Sequence, residues 1–237
     1  MGGGAVATAS QAIAERAKRI GAWLLQADPS QVTLRDGNVV GTQGSISLRE
    51  IARAWYLTPQ HLPPDVDTGG LEVTAGYKPD RDSGTFSYAS HAAVVAVDPM
   101  TGQIEILDYA VCEDGGRLIN PMIVDGQIRG GTAQGIGTAL YEAMPFDAQG
   151  QPLASTLADY LLPGPTEVPG IRILHMETPS PHTAFGVKGI GEGGAVGPPA
   201  AIVSAVNDAL RLAGAEVYDL PLTPRRILTA LAKACSP

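Results

Sequence analysis

Cysteine is nearly absent from this chain: 237 residues hold only Cys112 and Cys235, with no CxxC pair. That excludes an iron–sulfur cluster or a structural zinc site built by this chain alone. Positive charge is also scarce. Sixteen Lys and Arg stand against 24 Asp and Glu, for a net charge of −8. A nucleic-acid or acidic-membrane partner would demand clustered basic residues, so neither is expected. No apolar run reaches roughly 18 residues, which leaves no candidate transmembrane helix. The opening "MGGGAVATASQAIAERAKRI" lacks the basic start and continuous apolar core of a signal peptide.

Glycine and proline, by contrast, are plentiful, at 29 and 19 residues. They show no collagen-like period, and 44% of the chain is hydrophobic. The composition predicts a folded, loop-rich protein with many tight backbone approaches rather than disorder.

Residues 5–27 read as a helix, with Ile13, Ala17, Ile20 and Leu24 at helical spacing. "QVTLRDGNVVG" (31–41) reads as a hairpin around Asp36-Gly37. "SLREIARAWYL" is a short helix with Ser47 as N-cap, followed by a loop over "TPQHLPPDVDTGG". A second hairpin pairs "SHAAVVAVD" with "QIEILDYAV" through "PMTG". Asn120 and Pro121 then open a helix that carries a buried stripe through Ile136, Leu140 and Met144. "GIRILHMET" is a strand. "PPAAIVSAVNDALRLAG" is a helix with Pro198-Pro199 in its first turn and Gly214 as its stop, and "TPRRILTALAKA" is a last helix. With no repeat and no clear linker, a single α+β domain over 1–237 is the simplest reading, with mixed sheets packed against helices.

Two segments are unusual. Between Pro121 and Met144 the sequence places glycines at 126, 130, 131, 135 and 137. Each costs a helix about 1 kcal/mol relative to Ala, or roughly 5 kcal/mol in all. Close helix packing, or a large ligand lying on bare backbone, could offset that. Gln127, Gly131 and Gln134 fall on one helical face, which suits a planar hydrogen-bonding cofactor as well as it suits tight packing with solvated glutamines.

The second segment is "GVKGIGEGGAVGPP" (186–199). It formally spells GxGxxG, but no strand runs into it, no βαβ unit follows, and an acid in the loop would repel a pyrophosphate. Dinucleotide binding is therefore a distant option. Glu192, alone among glycines, is either a carboxylate favoured by a helix dipole or a general base given access by the bare loop.

In order along the chain, "GGGAVATAS", "SHAAVVAVDPMTGQIEILDYAV", "GRLINPMIVDGQIRGGTAQGIGTALYE", "DYLLPGPTEVPGI" and "TPSPHTAFGVKGIGEGGAVGPPAAIVSAVNDAL" resemble the molybdenum-binding subunit of the xanthine dehydrogenase, aldehyde oxidase and aerobic carbon monoxide dehydrogenase family. The resemblance implies hydroxylation of a carbon centre with water-derived oxygen, using molybdenum held by molybdopterin or its cytosine dinucleotide. The glutamate of the family's KG-x-GE motif, which takes the proton from the attacking hydroxyl, maps to Glu192. The pterin-contacting glutamine of QG-x-G maps to Gln134. By the same resemblance Gly130, Gly131, Gly135, Gly191 and Gly193 would lie against the cofactor and no side chain would ligate the metal, while Phe185, just before the motif, would either border the substrate pocket or be a core aromatic. His91 is expected to be a packing or hydrogen-bonding residue.

Family large subunits are several times longer, and this chain resembles only their final part. The implied partners are a chain carrying the missing N-terminal part, an iron–sulfur subunit and an FAD subunit. Iron–sulfur clusters and FAD would reside only on those partners, and the substrate would be a small molecule. A cytoplasmic location is expected, with export alongside a partner left open. The alternative is a non-catalytic assembly or binding remnant of such a subunit.

Overall fold

The computed structural model describes residues 1–66, 69–79 and 85–235. Its contacts gather into two compact units, Met1–Asp82 and Ser83–Pro237, each described here by itself.

The first unit opens with helix α1 (Gly2–Leu24). It stops before residue 27 because Gln26 takes a left-handed φ of 52°. The Ala27 amide then donates back to the Ala22 carbonyl at 2.9 Å, closing the helix end. Strands β1 (Thr33–Arg35) and β2 (Asn38–Gly41) form the expected hairpin. Asp36 and Gly37 both adopt the positive φ its tight turn requires. A third strand not foreseen from the sequence, β3 (Gly44–Ser47), pairs antiparallel with β2. Helix α2 (Leu48–Leu57) begins with a full capping box: the Ser47 hydroxyl accepts from the Glu50 amide while the Glu50 carboxylate accepts from the Ser47 amide. Ile20, Val39 and Ile51 are fully buried in this unit's core. Within the loop expected over 58–70, Pro59–His61 makes a short 3-10 turn, and residues 67 and 68 lie outside the described residues.

The second unit is built on a three-stranded mixed sheet ordered β4-β5-β6. Strands β4 (Tyr88–Val97) and β5 (Ile104–Asp114) are the predicted antiparallel hairpin, with an irregularity between Val94 and Val95. Helix α3 (Pro121–Leu140) crosses over, and β6 (Ile171–Met176) returns parallel to β5. Helices α4 (Gly193–Leu210) and α5 (Pro224–Ala234) complete the unit. Tyr109, Val111, Ile128, Ile136, Ile202, Val206 and Ile227 form a core between sheet and helices with no solvent exposure. The architecture is α+β with mixed strand directions, as the sequence implied.

In this unit two helices, α3 and α4, have boundaries that differ from expectation. Helix α3 ends at Leu140, where the Tyr141 and Glu142 amides both turn back to the Gly137 carbonyl. Met144 therefore lies beyond the buried stripe and is 47% exposed. Helix α4 starts five residues before Pro198, so Pro198 and Pro199 sit inside it rather than in its first turn. Proline lacks an amide proton, so the Gly194 and Ala195 carbonyls receive no donor from four residues on.

Candidate functional site

The site is assembled at the end of β5. Along this strand Tyr109, Val111 and Glu113 alternate onto the buried face. The adjacent Asp114 is also buried, and it anchors the glycine-rich segment. Its carboxylate accepts from the amides of Gly116 (2.9 Å) and Thr178 (3.0 Å) and from Lys188 Nζ (3.0 Å). Burial would raise its pKa, but the donors from Thr178, Gly116, Lys188 and Tyr88 outweigh that and hold it well below the usual carboxylate range. Lys188 is itself only 6% exposed and lies 4.8 Å above the Tyr88 ring. Backbone bonds from Lys188 N to Gly115 O (3.0 Å) and from Arg117 N to Gly186 O (3.2 Å) align residues 186–188 beside the end of β5.

From that anchor the chain runs through Ile190, which packs on the core, to Gly191 and Glu192. Gln127 of α3 donates from Nε2 to the Gly191 carbonyl at 2.8 Å, tying the glycine turn to the glycine-rich helix. Glu192 is the N-cap of α4. Its carbonyl accepts from Ala195 N at 3.0 Å, but its side chain caps nothing and is exposed. The carboxylate is thus held by its backbone alone, with its oxygens left for another partner.

Glycines decide how α3 and α4 meet. A Cβ on Gly135 would lie 2.7 Å from the Ala195 carbonyl oxygen, and one on Gly194 2.7 Å from the Ile128 carbonyl oxygen. A Cβ on Gly131 would come 3.0 Å from Ala195 N. The first two approaches are closer than real Cβ atoms tolerate, so helix–helix contact requires glycine at 135 and 194, and a side chain at 131 would need α4 to give by a few tenths of an ångström. The expected face of Gln127, Gly131 and Gln134 is therefore divided: both glutamines are exposed, while Gly131 is turned into α4. Gly126 and Gly130 sit on the other side with open space above them.

Among the described residues, three buried side-chain polar atoms make no hydrogen bond: His91 Nε2, Glu113 Oε2 and Thr132 Oγ1. His91 fulfils its expected hydrogen-bonding role, with Nδ1 3.0 Å from the Tyr109 hydroxyl, and burial lowers its pKa. Glu113 is 1% exposed, and its Oε1 occupies the space a Gly193 side chain would need. Burial raises its pKa, partly opposed by His175 on β6.

The fold thus joins Gln127 to Gly191, Gly193 to Glu113, and Lys188 to Asp114. Gln134 is exposed on α3, and Phe185 is 52% exposed with a left-handed φ of 64°. Gly131 and Gly135, assigned to the cofactor by resemblance, contact α4. Sequence reasoning passed over Asp114 and Glu113. The second was detectable, because the alternation of "ILDYAVCED" places an acid where a core residue belongs. No three His, Cys, Asp or Glu side chains gather among the described residues, so a metal here would need ligands brought by a cofactor.

A family model described as a molybdopterin cofactor-binding domain matches residues 1–169. The nicotine 6-hydroxylase large subunit of Paenarthrobacter nicotinovorans is 39% identical over 96% of this chain and 28% of its own length. The carbon monoxide dehydrogenase large chain of Hydrogenophaga pseudoflava is 34% identical over 97% of this chain and 28% of its own. The crystal structure of quinoline 2-oxidoreductase from Pseudomonas putida 86 superposes with a TM-score of 0.82. It is 39% identical and covers 94% of this chain and 28% of that one. The chain spans less than a third of the length of these relatives.

Proposed function

We propose, from the premise that this chain belongs to the molybdopterin cofactor-binding family of the xanthine dehydrogenase type, that it forms the base-carrying part of a molybdenum hydroxylase active site. The substrate carbon would be hydroxylated with water-derived oxygen, on an aldehyde, a purine, an N-heterocycle or carbon monoxide. The observation that carries this reading is Glu192: an uncapped carboxylate on a turn fastened by the Gln127–Gly191 bond and the buried Lys188–Asp114 pair.

The residues present fit a large planar cofactor. Gly126 and Gly130 leave bare backbone on the outward side of α3, Gly189 and Gly191 leave the adjoining turn open, and the Gln134 amide is free to hydrogen-bond. Gly130, Gln134 and Gly191 are the positions that would meet the pterin directly. Gly131, Gly135 and Gly193 would serve it through backbone packing. The cofactor, when bound, supplies the two-electron acceptor for the substrate carbon. Glu192 takes the proton from the attacking oxygen. Phe185, held in a left-handed conformation that is uncommon for an aromatic residue, would present its ring at the substrate entrance.

The rest of the large subunit, an iron–sulfur subunit and an FAD subunit would complete the proposed assembly. Among the described residues no helix is long and apolar enough to cross a membrane. The test is Glu192→Gln in the assembled enzyme. Turnover should fall about 10²–10⁴-fold with molybdenum content unchanged; full turnover would remove the assigned role. A second reading, a non-catalytic assembly remnant, is favoured by the packing of Gly131 and Gly135 into α4 rather than toward open surface, and it requires the purified assembly to contain no molybdenum.

A further inference from the structure

Strand β5 carries an acid on its buried face, where its alternation with Tyr109 and Val111 calls for an apolar residue. Glu113 is 1% exposed, Oε2 has no hydrogen-bond partner among the described residues, and Oε1 abuts the Cα of Gly193, the residue that follows Glu192. A buried carboxyl without a full set of donors is expensive to retain, so an isolated acid in this place asks for a role.

Its surroundings narrow that role. On β6, His175 lies opposite Glu113 in the parallel register, and its Nε2 is 2.7 Å from Asp125 Oδ1 of α3. On β4 the register partner is Ala89, which carries no charge. On β5 itself, Asp114 is committed to Lys188 and to two amides. The titratable group riding on the contacted segment of α4 is Glu192.

Resting on the reading of Glu192 as base, we propose that Glu113 is a positioning residue for it: its carboxyl, wedged under Gly193, seats the glycine turn that carries Glu192. The contact requires glycine at 193, because any side chain there would occupy the position of Oε1. It also places a second ionisable carboxyl beneath the turn that bears the base. Burial favours the protonated form of Glu113, partly opposed by His175. At higher pH Glu113 loses its proton, and a new negative charge appears beneath the turn.

The experiment uses the full chain assembled with its partner chains. Glu113→Gln keeps shape and neutrality but cannot ionise. The wild-type profile of kcat/KM against pH should show an ionisation that Glu113→Gln lacks, with the variant retaining activity within a few-fold on the acidic side of it. The second readout is thermal stability against pH. A carboxyl raised on folding binds its proton more tightly when folded, so stability is greatest at low pH and declines as pH rises from the ordinary carboxylate range through the raised value. Glu113→Gln should flatten that decline. Profiles identical to wild type in both readouts would overturn the proposal. If Glu192→Gln keeps full turnover, the base assignment itself fails. If Glu192→Gln is inactive and Glu113→Gln matches wild type throughout, only the role of Glu113 fails.

Discussion

Replacing Gly135 by alanine tests the claim that the glycines of α3 exist for α4. On an isolated helix the change would stabilise by about 1 kcal/mol. Here the new methyl would sit 2.7 Å from the Ala195 carbonyl oxygen and 2.7 Å from Pro198 Cγ. The first is backbone and the second a ring inside a helix, so neither can rotate away. Overpacking of this kind costs about 1–3 kcal/mol, which cancels or reverses the gain. Gly126→Ala is the internal control, since its methyl meets nothing within 4 Å and the full propensity gain should appear. The two variants should differ by about 1–3 kcal/mol in denaturant unfolding. For a domain of this size that is roughly 2–12 °C in melting temperature at about 2–4 °C per kcal/mol. Equal stabilisation by both variants would mean that α3 and α4 do not approach closely, and the packing account of Gly131 and Gly194 would fall with it.

Lys188→Met removes the cation from a pair whose side chains are 6% and 0% exposed. Leaving Asp114 buried and uncompensated should destabilise by about 3–5 kcal/mol in equilibrium unfolding. Asp114 has a depressed folded pKa, so its contribution is present above the ordinary carboxylate range and is lost as pH falls below it. Asp114→Asn should accordingly lose most stability near neutral pH and show a flatter acid limb in a melting series. Gln127→Ala deletes the bond to Gly191. It should lower stability by only about 0.5–1.5 kcal/mol while reducing turnover of the assembled enzyme with the molybdenum content intact. Gly193→Ala should impair activity, and adding Glu113→Ala should restore part of it by vacating the contested space, which a double-mutant cycle would measure.

Local chemistry made much of the fold legible in the sequence. Ser47, Asn120 and Gly214 act as read, because capping depends on a few adjacent atoms. The Asp36-Gly37 hairpin and the β4–β5 pairing likewise follow from short-range pattern. The start of α4 was not legible. Proline normally marks a first turn, and only the close bed that α3 provides explains why the helix extends back to Gly193. Within the site, Glu192 was conspicuous for its bare neighbours. Asp114 was not, since its partners Thr178 and Lys188 lie 64 and 74 residues away and no spacing rule links them. The division of glycines between packing and open surface also depends on tertiary placement, as one helical step separates Gly130 from Gly131.

The two prolines within α4 have a mechanical consequence. A helix normally transmits displacement along its amide ladder, but here two successive rungs are missing between the turn that bears Glu192 and the body that bears Ile202 and Val206. The first turn is held from outside the helix instead, by the Gly131 and Gly135 backbone beneath Gly194 and Ala195 and by Glu113 beneath Gly193, so its position answers to α3 and β5 rather than to the body of α4. Gly135→Ala, which disturbs that bed, should speed amide exchange at Ala195, whose amide donates to the Glu192 carbonyl, more than at residues from Ile202 onward.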